Sequence, residues 1–314
     1  MHAQGICGET YLLAQNSVLP PMLACLAATL LAPLYSWLLV FCSGMGVHRA
    51  AVACDLISAT NAALLFGYLV LRERRLAGTP QQTWQGWSRE CWRGWGAYLR
   101  IAEPSITMTA GECSAAAMIL LAGMLPDPQT AVDIMGISHV LSSGLFMVPM
   151  GLSGAVSARV ANELGAGDGL RAQSAVRASA VLVVAVMLVF STIVLALRQV
   201  YGWVFSEDAE VVTTLAQILV FVAVAIVGDG VNAVQSGVVR GARRQNWAAA
   251  TNLLVYWVLG VPLAVWLASR LRLGVFGLWG GLVVIMCLQG MLMTVLESFF
   301  DWRLEASRAC QLVG

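Results

Sequence analysis

Two carboxylic acids stand inside long apolar segments of this 314-residue sequence. Asp229 interrupts a run that begins near Val211 and meets its next full charge only at Arg240, and no charge follows Glu112 before Asp127. An ionisable residue within a membrane span usually faces the protein interior or a watery cavity, and it often marks an ion or substrate path. The two acids are therefore the first candidates for a binding site.

Each acid belongs to a polar stripe at helical spacing. Asn232 and Ser236 follow Asp229 by three and seven positions, which places all three on one face of a helix. Glu112 is preceded at the same two spacings by polar residues. We expect both stripes to line one shared cavity, although burial of an acid for helix packing alone is the alternative. The predicted proton- and substrate-binding residues are Asp229, Glu112, Asn232, Ser105 and Thr109.

A low dielectric disfavours the charged form of a carboxylic acid. A proton, a metal cation or a cationic substrate each removes this cost when it binds, so the three compete for one acid. That competition is a physical basis for exchange of one solute against another.

The sequence lacks the motifs that common enzymes, phosphate-binding sites and metal sites require. The sequence contains no HExxH, GxSxG or phosphate-binding loop, its three His are scattered, and its eight Cys show no C-x-x-C spacing. The net charge of +1 gives no reason to expect a nucleic-acid partner. We predict a protein that is not an enzyme and that uses no cofactor, no metal site and no nucleic acid.

The composition predicts an all-α polytopic membrane protein. Hydrophobic residues make up 59% of the chain, charged residues only 11%, and the mean hydropathy is +0.78. About 20 apolar residues suffice for one transmembrane helix. Eight apolar runs reach that length, at 17–42, 47–71, 98–125, 132–156, 178–197, 211–239, 247–269 and 273–296.

The positions of the arginines predict the topology. All 18 basic residues are Arg, and basic residues concentrate in cytoplasmic loops. On one side of the membrane there are only four of them, Arg49, Arg198, Arg270 and Arg272. The richer, cytoplasmic side holds both termini, the 72–97 loop and the 157–177 loop, with Arg72, Arg74, Arg75, Arg89, Arg93, Arg100, Arg159, Arg171, Arg177, Arg240, Arg243, Arg244, Arg303 and Arg308.

The long 72–97 loop carries its own pattern. Trp84, Trp87, Cys91 and Trp95 recur at helical spacing. Tryptophan is enriched at membrane interfaces. We expect a short interfacial helix that anchors the loop, in preference to a lipid sensor.

Several motifs together resemble one family. They are Pro104 and Ser105 ahead of Glu112, LLAGMLPDP at 120–128, RVANELGAG at 159–167, SGVVRG at 236–241 with Gln245, Asn252, GVP at 260–262 and GLW at 277–279. In this order they resemble the multidrug and toxic compound extrusion (MATE) transporters, in particular the plant-like eukaryotic branch. The resemblance covers nearly the whole chain.

The resemblance implies a protein of two six-helix lobes that exports organic cations and other amphiphilic xenobiotics or metabolites in exchange for protons or sodium ions. Its partners would be a small-molecule substrate, H+ or Na+, and the lipid bilayer of a plasma, vacuolar or endosomal membrane. This chain would lack the first four helices. Residues 1–71 would be a two-helix remnant of the N-lobe, 72–97 the interlobe loop, and 98–314 a complete C-lobe with a short cytoplasmic tail.

The family's acids of helices seven and ten correspond to Glu112 and Asp229, and both are present. The structural motif residues implied by the resemblance are Arg159, Asn162, Glu163, Gly165, Gly167, Gly237, Arg240, Gly241 and Gln245.

The sequence departs from the family pattern at several places. A second acid that often follows the first is replaced within Ala115–Ala117, and Arg49 and Arg243 stand where the family has glycine. With four helices missing, the alternative is a truncated chain that does not transport, or one that needs a partner chain.

The topology is testable by labelling single cysteines in a Cys-free background. We expect Cys91 to react only from the cytoplasmic side, because the Arg-rich loops lie there, and a cysteine placed at 126–130 to react from the outside. Labelling of Cys91 from the outside would contradict the assignment, as would failure of the 126–130 turn to label there.

Overall fold

The computed structural model describes residues 7–12, 15, 17–41, 47–79, 88, 93–110 and 113–313. By its internal contacts the chain divides into two compact units, Met1–Arg93 and Gly94–Gly314.

The first unit contains two long helices. Helix α1 spans Leu19–Ser36 and continues as a π-helical turn, Trp37–Phe41, and α2 spans Val47–Arg75. The hydroxyls of Tyr35 and Thr60 share a hydrogen bond of 3.1 Å between the two helices. The apolar contacts around Leu12, Ala24 and Leu65 form the small core of this unit.

The second unit is a helical bundle. Its helices are α3 Trp95–Ala110, α4 Cys113–Ala122, α5 Pro128–Gly165, α6 Gly169–Tyr201, α7 Ala209–Gly241, α8 Gln245–Asn252, α9 Val261–Ser269, α10 Gly274–Ser298 and α11 Trp302–Val313. A π-helical segment, Leu253–Gly260, joins α8 to α9, so that residues 245–269 form one continuous span.

The predicted class, an all-α polytopic membrane protein, is confirmed. Seven helical segments within the described ranges are long and apolar enough to cross a membrane. The eighth predicted span, 98–125, falls on α3 and α4, which flank residues 111–112 outside the described part of the chain. Most of the predicted interfacial helix, at 80–87 and 89–92, also lies outside the described residues.

Helices α5 and α6 are much longer than their apolar runs. The runs at 132–156 and 178–197 mark only the parts that match lipid, whereas the helices extend to Gly165 and begin at Gly169. Hydropathy cannot locate these ends, because a helix hydrogen-bonds its own backbone on both sides of the interface. The 157–177 segment is therefore mostly helix around a short turn.

Helix α7 lies at the centre of the second unit. It contacts α5, α6 and α10. In the most apolar stretch of α7, 56% of the residues are buried. The corresponding share in the other described spans is 6% to 50%. An interior helix can carry polar groups away from lipid. The fold thus covers the helix that carries the Asp229 stripe with protein on several sides.

Helices α5 and α7 end in the same type of turn, but a different residue occupies its left-handed position. Gly167 and Arg243 each adopt a left-handed conformation, with φ of 81° and 57°. In both turns the next residue donates its backbone N–H to a carbonyl five positions back, Asp168 to Glu163 and Arg244 to Val239, each at 2.9 Å. This is the Schellman helix ending, in which glycine is preferred because it has no Cβ.

The shared geometry predicts that Arg243→Gly stabilises the protein. Removing the strained Cβ should raise the free energy of unfolding by about 1 kcal/mol. Arg243→Ala removes the same charge but keeps a Cβ, so it should give no such gain. The reverse change, Gly167→Ala, should destabilise. Thermal unfolding of the purified chain in detergent measures all three, and an equal gain from Arg243→Ala would assign the effect to charge instead of backbone strain.

Candidate functional site

Asp229 lies where two helices approach α7 closely. A Cβ atom on the preceding Gly228 would stand 3.1 Å from the backbone nitrogen of Cys287 in α10. A Cβ on the following Gly230 would stand 2.4 Å from Cγ of Met187 in α6. The glycines on either side of the acid therefore let α10 and α6 close around the turn that carries Asp229.

Asp229 lies at membrane depth. Its rise along the helix to Arg240 is about 16 Å at 1.5 Å per residue, and half of a typical hydrocarbon core is about 15 Å. If the exposed Arg240 lies at the interface, Asp229 lies close to the bilayer midplane. Asp229 itself is half-buried.

Asn232 is the next residue of the stripe, and it is only 8% exposed. Its Nδ2 donates a 2.9 Å hydrogen bond to Oη of Tyr256, while its Oδ1 is buried and has no hydrogen-bond partner among the residues that the structure describes. Tyr256 stands in the π-helical segment Leu253–Gly260. Such wide turns often occur at functional sites. The segment brings a tyrosine hydroxyl to the stripe, one helical turn from Asp229.

Two glutamines, which the sequence reasoning did not select, extend the polar interior. Gln235 on α7 is 4% exposed and donates a 3.2 Å hydrogen bond to Oγ1 of Thr294 on α10. Gln289 on α10 is fully buried and donates to Thr251, at 3.2 Å, and to Asn252 on α8. The amides thus join α7, α8 and α10. Their signal in the sequence was an amide within a strongly apolar helix: Gln235 shares α7 with Gln217 and Asn232, and Gln289 is the one amide of α10.

The second stripe cannot be placed in the same detail. Ser105 and Thr109 lie on α3, whose backbone is described at these positions, but their side chains lie outside the described part of the structure, as does Glu112 altogether. The shared cavity of Glu112 and Asp229 therefore remains a prediction.

Helix α5 packs directly on α7 through the SGVVRG motif. A Cβ on Gly237 would stand 2.3 Å from the carbonyl oxygen of Ser153, and one on Gly241 would stand 2.6 Å from that of Ser157. Arg240 Nη2 donates a 2.8 Å hydrogen bond to Ser153 Oγ, which donates in turn to the carbonyl of Ala233 at 2.5 Å. Two glycines and one arginine of the motif thus hold the helices together.

The RVANELGAG motif forms the end of α5. Arg159 pairs with Glu163 at 2.8 Å, and the carbonyl of Asn162 accepts a hydrogen bond from the backbone N–H of Ala166. The carbonyl of Gly165 lies 3.8 Å from the Cys310 thiol of α11, and Gly167 supplies the left-handed turn described above. These contacts are structural. Gln245 is the first residue of α8.

An apolar groove lies between α5 and α6. Its lining includes Pro149, Leu152, Val183 and Met187, and every lining residue is apolar or glycine. Met187 also contacts Gly230, so the groove and the Asp229 turn share one side chain.

Known proteins resemble this chain in sequence. The MatE family profile matches residues 104–266. Protein DETOXIFICATION 16 of Arabidopsis thaliana is 34% identical over 304 residues, which cover 96% of this chain and 62% of that protein. Multidrug and toxin extrusion protein 1 of Homo sapiens is 32% identical over 302 residues, which cover 96% of this chain and 51% of that protein.

The fold matches a solved structure. The crystal structure of the eukaryotic MATE transporter AtDTX14 superimposes with a TM-score of 0.86 at 29% sequence identity, over 97% of this chain and 67% of that one. This chain therefore spans about 51% to 67% of the length of these similar proteins.

The α5–α7 contact predicts the effect of filling one glycine. Gly237→Ala should lower the free energy of unfolding by about 1–3 kcal/mol, the usual cost of overpacking, because the new methyl group meets helix backbone. Gly154→Ala, on α5 beside Ser153, is the matched control, since a Cβ there has nothing within 4 Å. It should be neutral or slightly stabilising. Equal unfolding temperatures of the two variants in detergent would contradict the contact.

Proposed function

The chain belongs to the MATE family, and from this premise we propose that it works as a secondary active efflux antiporter, exporting organic cations or other amphiphilic compounds in exchange for protons. The observation that carries the proposal is an acid, Asp229, close to mid-membrane depth on the most buried span, α7. The polar stripe around it and the family membership support the same assignment.

The physical mechanism is competition for one acid. In a low dielectric the carboxylate is costly, and either a proton or the positive charge of a substrate removes the cost. Binding of one favours release of the other, which couples the two flows. Sodium is the other candidate coupling ion, since it offers the same charge.

Asn232 and Tyr256 have a different role in this proposal. Their hydrogen bond closes one side of the stripe beside Asp229, and the Oδ1 of Asn232, which no described residue hydrogen-bonds, can accept from a substrate. We assign Asn232 to substrate affinity and Asp229 to ion coupling. Glu112 is proposed as the second acid of the site, with Ser105 and Thr109 on its helix.

A second candidate function is a carrier formed only with another chain. The observation behind it is that this chain spans 62% of the length of DETOXIFICATION 16. Carriers built from repeats expose a site alternately to the two sides of the membrane by moving one repeat against the other. A second chain would then provide the opposing wall of the cavity.

Dye efflux from everted vesicles tests the coupling. Asp229→Asn keeps the size and hydrogen bonding of the side chain but cannot ionise, so the protein should fold while proton-driven export of a cationic dye falls to background. Asn232→Ala should weaken apparent dye affinity roughly two- to tenfold, as expected for one hydrogen bond of about 0.5–1.5 kcal/mol, and should keep the pH dependence. Glu112→Gln should fall between them.

Asp133→Asn is the matched control, because Asp133 is an exposed acid in the first turns of α5; it should export dye like the wild type. Full proton-driven efflux by Asp229→Asn would reject this acid as the proton carrier. A parallel arm with an imposed sodium gradient decides the coupling ion. Efflux that appears only when the chain is co-expressed with the first helices of a relative would favour the two-chain carrier.

A further inference from the structure

A second acid stands near the end of the polar face of α7. Glu297 is the penultimate residue of α10, and it is partly buried. Its Oε2 is buried and has no hydrogen-bond partner among the described residues. A buried carboxylate oxygen without a donor is costly. This acid plays no part in the efflux site proposed above.

Gln235 of α7 holds Glu297 in place. Its amide donates to the carboxylate of Glu297 and, at 3.2 Å, to Oγ1 of Thr294. The Thr294 hydroxyl already donates its hydrogen to the carbonyl of Gly290 at 2.8 Å, so its oxygen must accept from Gln235. The amide orientation is therefore determined by its partners. It leaves the Gln235 Oε1 buried and without a partner in the described part of the chain.

The two unsatisfied atoms of this cluster are both acceptors. An amide oxygen and a carboxylate oxygen can be satisfied only by a donor or a cation. Among the described residues no group of three or more His, Cys, Asp or Glu side chains could hold a metal ion, and this cluster contains a single carboxylate, that of Glu297. A proton needs only one acceptor atom, and a protonated carboxyl group becomes a donor. The chemistry of the cluster therefore fits a proton better than a metal ion.

The cluster continues the Asp229 stripe. Asp229, Asn232 and Gln235 follow one another at intervals of three residues, which is a rise of about 9 Å in all. Asn232 also carries a buried oxygen that accepts no hydrogen bond from any described residue. The stripe thus leads from mid-membrane depth toward the Arg-rich end of α7, which the arginine distribution places on the cytoplasmic side.

The charged groups at this end include Arg240 of α7, which donates to Ser153, and the exposed Arg243 that follows it. Glu305 of α11 pairs with Arg244 at 2.5 Å and with Arg308 at 3.0 Å. Arg244 is thus paired with an acid other than Glu297.

We infer that Glu297 is a further proton-binding group of the Gly94–Gly314 unit, separate from Asp229 and Glu112 and positioned by Gln235 between the Asp229 stripe and the cytoplasmic end of the bundle. The proton binds at the carboxylate and gives the cluster the donor that it lacks. The binding site itself is independent of transport. Its use as a cytoplasmic station for the coupling proton rests on the proposed efflux function.

Infrared difference spectroscopy on the whole chain in lipid nanodiscs tests the site. A protonated carboxyl group has its own C=O band, and we expect a step in pH to change such a band in the wild-type chain. Glu297→Gln should remove this change. Glu207→Gln, which alters an exposed acid in the turn before α7, is the matched control and should retain it. A spectrum of Glu297→Gln identical to that of the wild type would overturn the inference.

Gln235→Leu provides a second, independent test that leaves the acid in place. Loss of the amide donor should shift the frequency of the Glu297 band. This shift tests the assignment of the band to Glu297 even if Glu297→Gln fails to fold. An unshifted band would assign the signal to another acid and overturn the proposed site. Dye efflux forms a separate arm: with the spectroscopic result positive, wild-type rates in Glu297→Gln would reject the transport role and leave the binding site standing. If the wild-type chain shows no efflux, the proposed function is contradicted, but the proton-binding site at Glu297 is not.

Discussion

A polar side chain inside a membrane must find its partners within the protein, and this constraint governs the second unit of the chain. Helix α7 carries Asp229, Asn232 and Gln235 through an otherwise aliphatic sequence. Lipid cannot hydrogen-bond these groups. The fold meets the constraint by surrounding α7 with α5, α6 and α10, so that the polar face of the helix is turned toward protein.

Glycine makes this enclosure possible. Without side-chain atoms, Gly228, Gly230 and Gly237 allow three different helices to approach the backbone of α7. Close approach through small residues is a common way of packing membrane helices, because apolar side chains gain little by leaving lipid. The positions that pack and the positions that carry polar groups alternate along the same helix. A larger residue at a glycine would therefore disturb the polar face as well as the packing.

The polar interior is rich in acceptor atoms. Buried oxygens of Asn232, Gln235, Gln289 and Glu297 have no partner among the described residues, whereas the amide nitrogens of the three amides are bonded. An interior with excess acceptors favours protons, cations and donor groups of a ligand. This imbalance agrees with the exchange of positively charged species that we propose.

The sequence by itself determined the membrane class, the approximate positions of the spans and the face of α7 that bears Asp229 and Asn232, because hydropathy and a period of 3.6 residues follow from composition and backbone geometry alone. It also contained the family motifs. Tertiary structure alone decided which groups meet. Asn232 pairs with Tyr256, and Gln235 meets Thr294 and Glu297 from another helix. Periodicity defines the face of one helix but carries no information on which other helix covers it, and an acid near a helix end, such as Glu297, looks in sequence like an ordinary interfacial charge until packing buries it.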